Sequence, residues 1–177
     1  MWACSARSFR WPSGQTSFFE VFASEHVCKL PDEPRRSLNT CEGEDISPPL
    51  AWEGVPNGVK SLVLIIDDPD APDPKAPKMV WVHWVVYNMP PDTESLPENA
   101  GKAGLPQGTV LGVNDFKKTA YGGPCPPIGR HRYFHKLYAL DITLDLTGVT
   151  KSQIEKAMQG HVLANTELIG TYQKGDR

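Results

Sequence analysis

The sequence predicts one mostly-β domain that carries a single late helix. Its 17 prolines and 15 glycines follow no Gly-X-Y period, which means many turns joining short strands. Its apolar residues fall in runs of strand length or in alternation. A helical stripe with its own start signal occurs once, after Thr150.

In chain order, residues 1–17 read as an N-terminal extension: Arg7, Arg10 and several serines precede the first acid, Glu20, with no apolar core of a secretory leader. Residues 18–177 form the domain. Ser17 to Phe22 is the first expected strand. The polar, proline-bearing stretch from Pro31 to Arg36 is a loop, as is Cys41 to Leu50, where Pro48 and Pro49 lead an extended path into Trp52. Asn57-Gly58 is a turn signal. Ser61 to Ile66 is apolar on both faces and so reads as a central strand, ending in Asp67-Asp-Pro-Asp-Ala-Pro72. In the next strand, Val80 to Tyr87, the even positions Val80, Val82, Trp84 and Val86 make one face and Trp81, His83, Val85 and Tyr87 the other, with His83 the polar interruption. Asn88 to Tyr121 reads mostly as loop, with a short extended piece near Thr109 to Gly112.

Tyr133 to Leu140 is a further strand, and the alternation of Leu140, Ile142, Leu144 and Leu146 with polar residues continues an extended pattern with one wet face. Thr150 and Gln153 form a capping box, in which side chains satisfy the orphan amides of a helix start. Ile154, Ala157, Met158 and His161 follow as a stripe, and Gly160 marks the end. Leu163 to Tyr172 returns to extended structure.

Composition excludes some functions. A formal net charge of -3 argues against a general nucleic-acid binder. No apolar run approaches the ~20 residues of a transmembrane helix. The four cysteines, Cys4, Cys28, Cys41 and Cys125, show no CxxC pair and no zinc-site spacing; no metal and no cofactor is expected. One or two disulfides would suit an exported chain; free thiols in the cytoplasm are the expectation.

Chemistry concentrates at two strand–loop junctions. The first offers Asp67, Asp68 and Asp70 with His83 on the following strand; at most two of these acids are expected to face one site. The second is Tyr121 to Tyr133, whose three glycines and three prolines stiffen a loop that ends in Arg130-His-Arg-Tyr133. Converging histidines, a carboxylate and a tyrosine would bind an anion such as a phosphate ester: cationic groups and a hydroxyl donate, and the carboxylate fixes a histidine from behind. Trp52, Trp81 and Trp84 read as core. Cys125, between two prolines, reads as packing rather than a reactive thiol.

Asp68-Pro-Asp-Ala-Pro72 with His83-Trp84, Tyr121-Gly-Gly-Pro124, Pro126-Pro127 and Gly129-Arg-His-Arg-Tyr133 resemble the two hallmark regions of the phosphatidylethanolamine-binding protein family. Gly122 to Tyr133, Cys41 to Leu50 and Leu168 to Lys174 are similar to its bacterial and archaeal branch, often called Raf-kinase-inhibitor-like proteins. The resemblance runs from Phe18 to Lys174; the segment before Phe18 and the stretch from Glu25 to Arg36, with Cys28, depart from it. It implies two antiparallel sheets with Greek-key connections. It also implies a cis peptide at Ala71-Pro72, and a small pocket lined by Asp68, His83, His131 and Tyr133 with Asp70, Pro72, Tyr121, Pro126 and Pro127 nearby.

On the resemblance, the pocket takes phosphate-type anions or phosphoethanolamine head groups, and members inhibit kinases or serine proteases or act as signalling scaffolds. Some members of the branch pair as homodimers. The expected function is therefore that of a non-enzymatic binding or regulatory protein, with Arg132 a structural partner. The alternative is a hydrolase of small esters using a His/Asp pair, with Cys125 or Ser47 as nucleophile. No basic amphipathic helix supports a third reading, peripheral membrane binding.

Overall fold

A computed structural model describes residues 38–175, together with the backbone of two N-terminal strands, β1 (Ser5–Arg7) and β2 (Glu20–Ala23). Strand β1 lies inside the segment read as an extension. Residues 17–19 of the expected first strand, the loop at 31–36, Cys4 and Cys28 lie outside the described residues.

The elements that follow are β3 (Leu50–Glu53), β4 (Ser61–Ala71), β5 (Met79–Met89), β6 (Ser95–Leu96), a one-turn helix α1 (Ala100–Ala103), β7 (Val110–Leu111), β8 (Arg130–Leu140), α2 (Lys151–Ala157) and β9 (Val162–Gln173). They build two antiparallel sheets. The larger runs β1-β9-β8-β4-β5-β7 and the smaller β2-β3-β6. From β5 the chain visits the small sheet at β6, returns as β7, then crosses to β8 on the far side of β4, a connection of Greek-key kind.

Strand β4 is central and covered on both faces, as its unbroken apolar run requires. Leu62, Leu64 and Ile66 pack with Trp84, Val86 and Leu137 against Leu50, Trp52 and Leu96 of the small sheet. Val63 and Ile65 pack on the other side with Val85 and Tyr87 against Leu144, Ile154 and Met158. Trp52 and Trp84 are core, as read; Trp81 is only half-buried and meets the edge of Phe116.

The late helix starts at its capping box but ends at Ala157, before Gly160. Gly160, at φ 81, instead turns the chain into β9. The extended pattern beyond Leu140 is not a strand. Leu144 N–H donates to Asn88 Oδ1 and its carbonyl accepts from Asn88 Nδ2, both at 2.8 Å, while the Leu146 carbonyl accepts from Tyr87 Oη at 2.8 Å. Side chains thus satisfy the backbone groups a partner strand would have taken, and Leu144 fills the core beneath α2.

Candidate functional site

The site forms where β4, β5 and β8 end together, and it depends on an irregularity in β5. Ile66 pairs with Trp84 but Asp67 pairs with Val82, so His83 is the extra residue of a bulge. Val82 therefore joins Val85 and Tyr87 on the helix side while Trp84 and Val86 face the small sheet. This corrects the simple alternation expected for Val80 to Tyr87, and Val80 is exposed besides. The bulge aims the His83 ring at Tyr133 of β8, with centroids 5.2 Å apart, and at the edge of Phe116, 5.6 Å away.

The acids of β4 divide as alternation demands. Asp67 points to the helix side, where Lys136 Nζ and Lys151 Nζ reach its Oδ2 at 2.8 Å and 2.6 Å. Asp68 and Asp70 serve the site side. Asp68 Oδ1 accepts the Asp70 N–H at 2.7 Å, and Oδ2 lies 2.7 Å from His131 Nδ1. The other ring nitrogen of His131 sits 3.0 Å from the Ile128 carbonyl, so this buried ring is held at both ends by protein oxygens. Asp70 takes a bidentate contact from Arg132, with Nη2 at 2.6 Å and Nε at 2.9 Å, and also accepts the Arg132 N–H. The guanidinium holds the Asp70 carboxyl below the usual range, burial acting against it. Arg132 is thus a structural partner here, as expected.

The loop from Tyr121 to Pro127 forms the wall. Gly122 accepts the His83 Nδ1–H on its carbonyl at 2.6 Å and donates its N–H to the His83 carbonyl at 3.1 Å. A side chain at Gly122 would strike the Phe116 ring at 2.5 Å, and one at Gly123 would meet the Asn39 carbonyl at 2.6 Å. Close approach, rather than a turn, fixes both glycines. Tyr121 donates its hydroxyl to the Asn39 carbonyl at 2.9 Å and stands edge-on to Trp84. Pro126 is buried, Pro127 and Pro72 are exposed, and the Ala71-Pro72 peptide is cis.

Cys41 and Cys125 are joined in a disulfide, Cα to Cα 5.4 Å. The expectation of free thiols fails for these two. Residues 84 apart in sequence meet only because Cys41 N–H bonds the Pro124 carbonyl and Gly123 N–H bonds Asp45, a folding contact that spacing could not reveal. A cytoplasmic location loses the support that free thiols would have lent it. Both candidate nucleophiles are committed: Cys125 to the disulfide, and Ser47 Oγ to the Ala100 N–H at 2.9 Å.

Two polar atoms at the centre of the site, His83 Nε2 and Tyr133 Oη, are buried with no hydrogen-bond partner among the described residues. Burial lowers the His83 pKa, against the raising effect of the Gly122 bond and the charge of Asp68. With Nδ1–H committed to Gly122, the neutral ring presents a lone pair at Nε2, and protonation converts that atom into a cationic donor. Burial pushes the Tyr133 phenol up, so its hydroxyl keeps its proton.

Sequence reasoning missed the supports. Asn114 Nδ2 donates to the carbonyls of His83, at 3.1 Å, and Ala120, at 2.8 Å, and Asn114 Oδ1 accepts the Lys118 N–H, which seats Phe116 beside His83. Asn114 lies in a stretch read as plain loop, and nothing local marks it. Among the described residues, no cluster of His, Cys, Asp or Glu is placed to hold a metal ion, and no helix is long and apolar enough to cross a membrane.

A sequence model of the family described as phosphatidylethanolamine-binding protein matches residues 30–173. A UPF0098 protein of Methanothermobacter thermautotrophicus is 56% identical over 141 residues, covering 78% of this chain and 90% of that relative. Among solved structures, a phosphatidylethanolamine-binding protein homologue from Chlamydia trachomatis shares 45% identity at a TM-score of 0.71, covering 78% of this chain and 88% of its own. Escherichia coli YbcL, described as a member of the mammalian family, shares 32% at a TM-score of 0.73, covering 88% and 98%.

Proposed function

Because the chain belongs to the phosphatidylethanolamine-binding protein family, we propose that it is a non-enzymatic binding protein whose site takes a phosphate-type anion or a phosphoethanolamine head group. The observation that carries this reading is the pair of buried, unpartnered atoms His83 Nε2 and Tyr133 Oη beside the Asp68–His131 pair. Unpaired buried polar groups are unfavourable unless something else completes them. An anion would do so, accepting from Tyr133 and from a protonated His83. His131, fixed at both ring nitrogens, frames the site with Asp68 and Asp70, and Pro72, Tyr121, Pro126 and Pro127 form its walls. Anion binding then takes up a proton, because burial disfavours the charged His83 ring until an anion stands beside it. The committed nucleophiles Cys125 and Ser47 favour this reading over ester hydrolysis.

We extend the proposal to regulation: the occupied site and its exposed apolar rim, with Met79, Phe116 and Ile128, would contact a partner kinase or serine protease and inhibit it, and the chain would pair as a homodimer. The test is titration with inorganic phosphate and with phosphoethanolamine, followed by histidine NMR. The His83 signals should move and titrate at a higher pH in the complex. His83→Gln should bind about tenfold or more weakly, the loss of one charge-assisted bond. No shift of the His83 ring at millimolar ligand would sink the assignment.

A further inference from the structure

We propose that the Cys41–Cys125 disulfide is a redox-sensitive clasp on the wall of this site, so that its reduction weakens anion binding. The inference rests on the anion reading above and adds a control to it. Both cysteines are exposed, so a small thiol can reach the bond. The bridge fastens residues 38–46, which contain no strand or helix, to the loop from Tyr121 to Pro127. Three hydrogen bonds cross the same seam: Cys41 N–H to the Pro124 carbonyl at 3.1 Å, Gly123 N–H to Asp45 Oδ1 at 2.5 Å, and Tyr121 Oη to the Asn39 carbonyl at 2.9 Å.

The seam ends at the ligand atoms. Gly122, three residues before Cys125, makes both backbone bonds to His83. The bond from Nδ1–H fixes the tautomer and direction of the ring that would contact the anion, and the other anchors the His83 backbone. With the covalent tie cut, residues 38–46 are joined to the loop by hydrogen bonds and packing without a covalent link, and a segment that loses a tie opens locally at a lower free energy. A wall that must be reordered on binding subtracts from affinity.

The chemistry needs a dithiol. One of its thiolates attacks a sulfur of the bridge, the S–S bond breaks, and the electron pair leaves on the other cysteine as thiolate. The second thiol of the reductant resolves the mixed disulfide and is itself oxidised. The two thiol protons finish on Cys41 and Cys125. Loss of two electrons and two protons to a disulfide oxidant reverses the change.

The experiment measures phosphate binding by the full chain, oxidised and in dithiothreitol, beside C41S/C125S under both conditions. Reduction should weaken binding at least about threefold through lost preorganisation, and the double variant should match the reduced protein and ignore dithiothreitol. Amide exchange should quicken at Gly122 and Gly123 but not along β4 and β8. Equal affinity in both states overturns the clasp, as does a dithiothreitol response that survives in C41S/C125S. Faster exchange throughout β4 and β8 also overturns it, since the bond would then staple the whole fold. If the oxidised protein binds no phosphate, the anion reading fails, and the clasp is judged on exchange: unchanged Gly122 and Gly123 amides reject it.

Discussion

Strand β4 carries Asp67 and Asp68 side by side and sends them into two different environments. On the helix side, Asp67 is sealed from solvent and gripped by two lysines, and Tyr87 and Asn88 bond the backbone of the segment that lies over them. On the other side, Asp68 is equally buried and fixes His131, but next to that pair His83 and Tyr133 each keep a polar atom without a partner. Both faces bury charge. On the helix side most of these polar groups are engaged by the protein itself, through Asp67 Oδ2, Tyr87 Oη and Asn88, as a structural role needs, although Asp67 Oδ1 keeps no partner among the described residues. On the site side they are arranged and left incomplete, which is what a ligand needs.

The largest expected effect breaks the helix side. In K136M/K151M the lysine stems remain but Asp67 loses both cations, and stranding a buried carboxylate costs about 3–5 kcal/mol. Urea unfolding should show that loss. Adding Asp67→Leu should restore most of it, since an apolar substitute needs no partner. Phosphate affinity of the folded K136M/K151M variant should stay within about twofold, because both lysines reach Asp67 on the face of β4 turned away from the site. An affinity that falls together with stability would show that the faces are coupled and that the contrast is wrong.

This division was half legible in the sequence. The unbroken apolar run from Ser61 to Ile66 announced a strand covered on both faces, and the Thr150–Gln153 box announced the helix that covers one of them. The family resemblance implied that Asp68, His83, His131 and Tyr133 line one pocket. What could not be read was direction. The bulge at His83 depends on register against β4, so alternation alone put Val82 on the wrong face. The alternation past Leu140 makes no strand because Asn88, remote in sequence, supplies the bonds that mimic a partner. His131 was expected among the ligand contacts, and its sequence neighbours do not show that the Ile128 carbonyl meets its second nitrogen.

Acid should separate the faces next. His135, fully buried on β8, has its pKa pushed down by burial to about 4 from 6.5. Above the unfolded value, the ring is neutral in both states and contributes nothing. As pH falls from there, the unfolded chain takes a proton that the folded chain refuses, so stability declines until the folded value is reached. The loss amounts to about 3 kcal/mol by pH ~4. The lowered pKa of His83 adds to it in the same direction. Asp70, lowered from 3.8, loses its contribution only below that window. Urea midpoints between neutral pH and pH ~4.5 should fall in the wild type and fall less in His135→Leu. Identical slopes would assign the acid sensitivity elsewhere.

The smallest effect tests the contrast most directly, because one chemical change is made on each side. Tyr87 Oη donates to the Leu146 carbonyl at 2.8 Å on the helix side, whereas Tyr133 Oη, equally enclosed, finds no partner among the described residues. Tyr87→Phe removes a made bond and should destabilise by about 1 kcal/mol. Tyr133→Phe removes a buried hydroxyl that nothing satisfies, and should leave stability unchanged or raise it by about 1 kcal/mol. Phosphate affinity should respond in the reverse order: unchanged in Tyr87→Phe and about fivefold weaker in Tyr133→Phe, the worth of one neutral donor. If Tyr133→Phe loses stability as Tyr87→Phe does, its hydroxyl is serving the fold, and the incompleteness attributed to this face is not a binding site waiting for an anion.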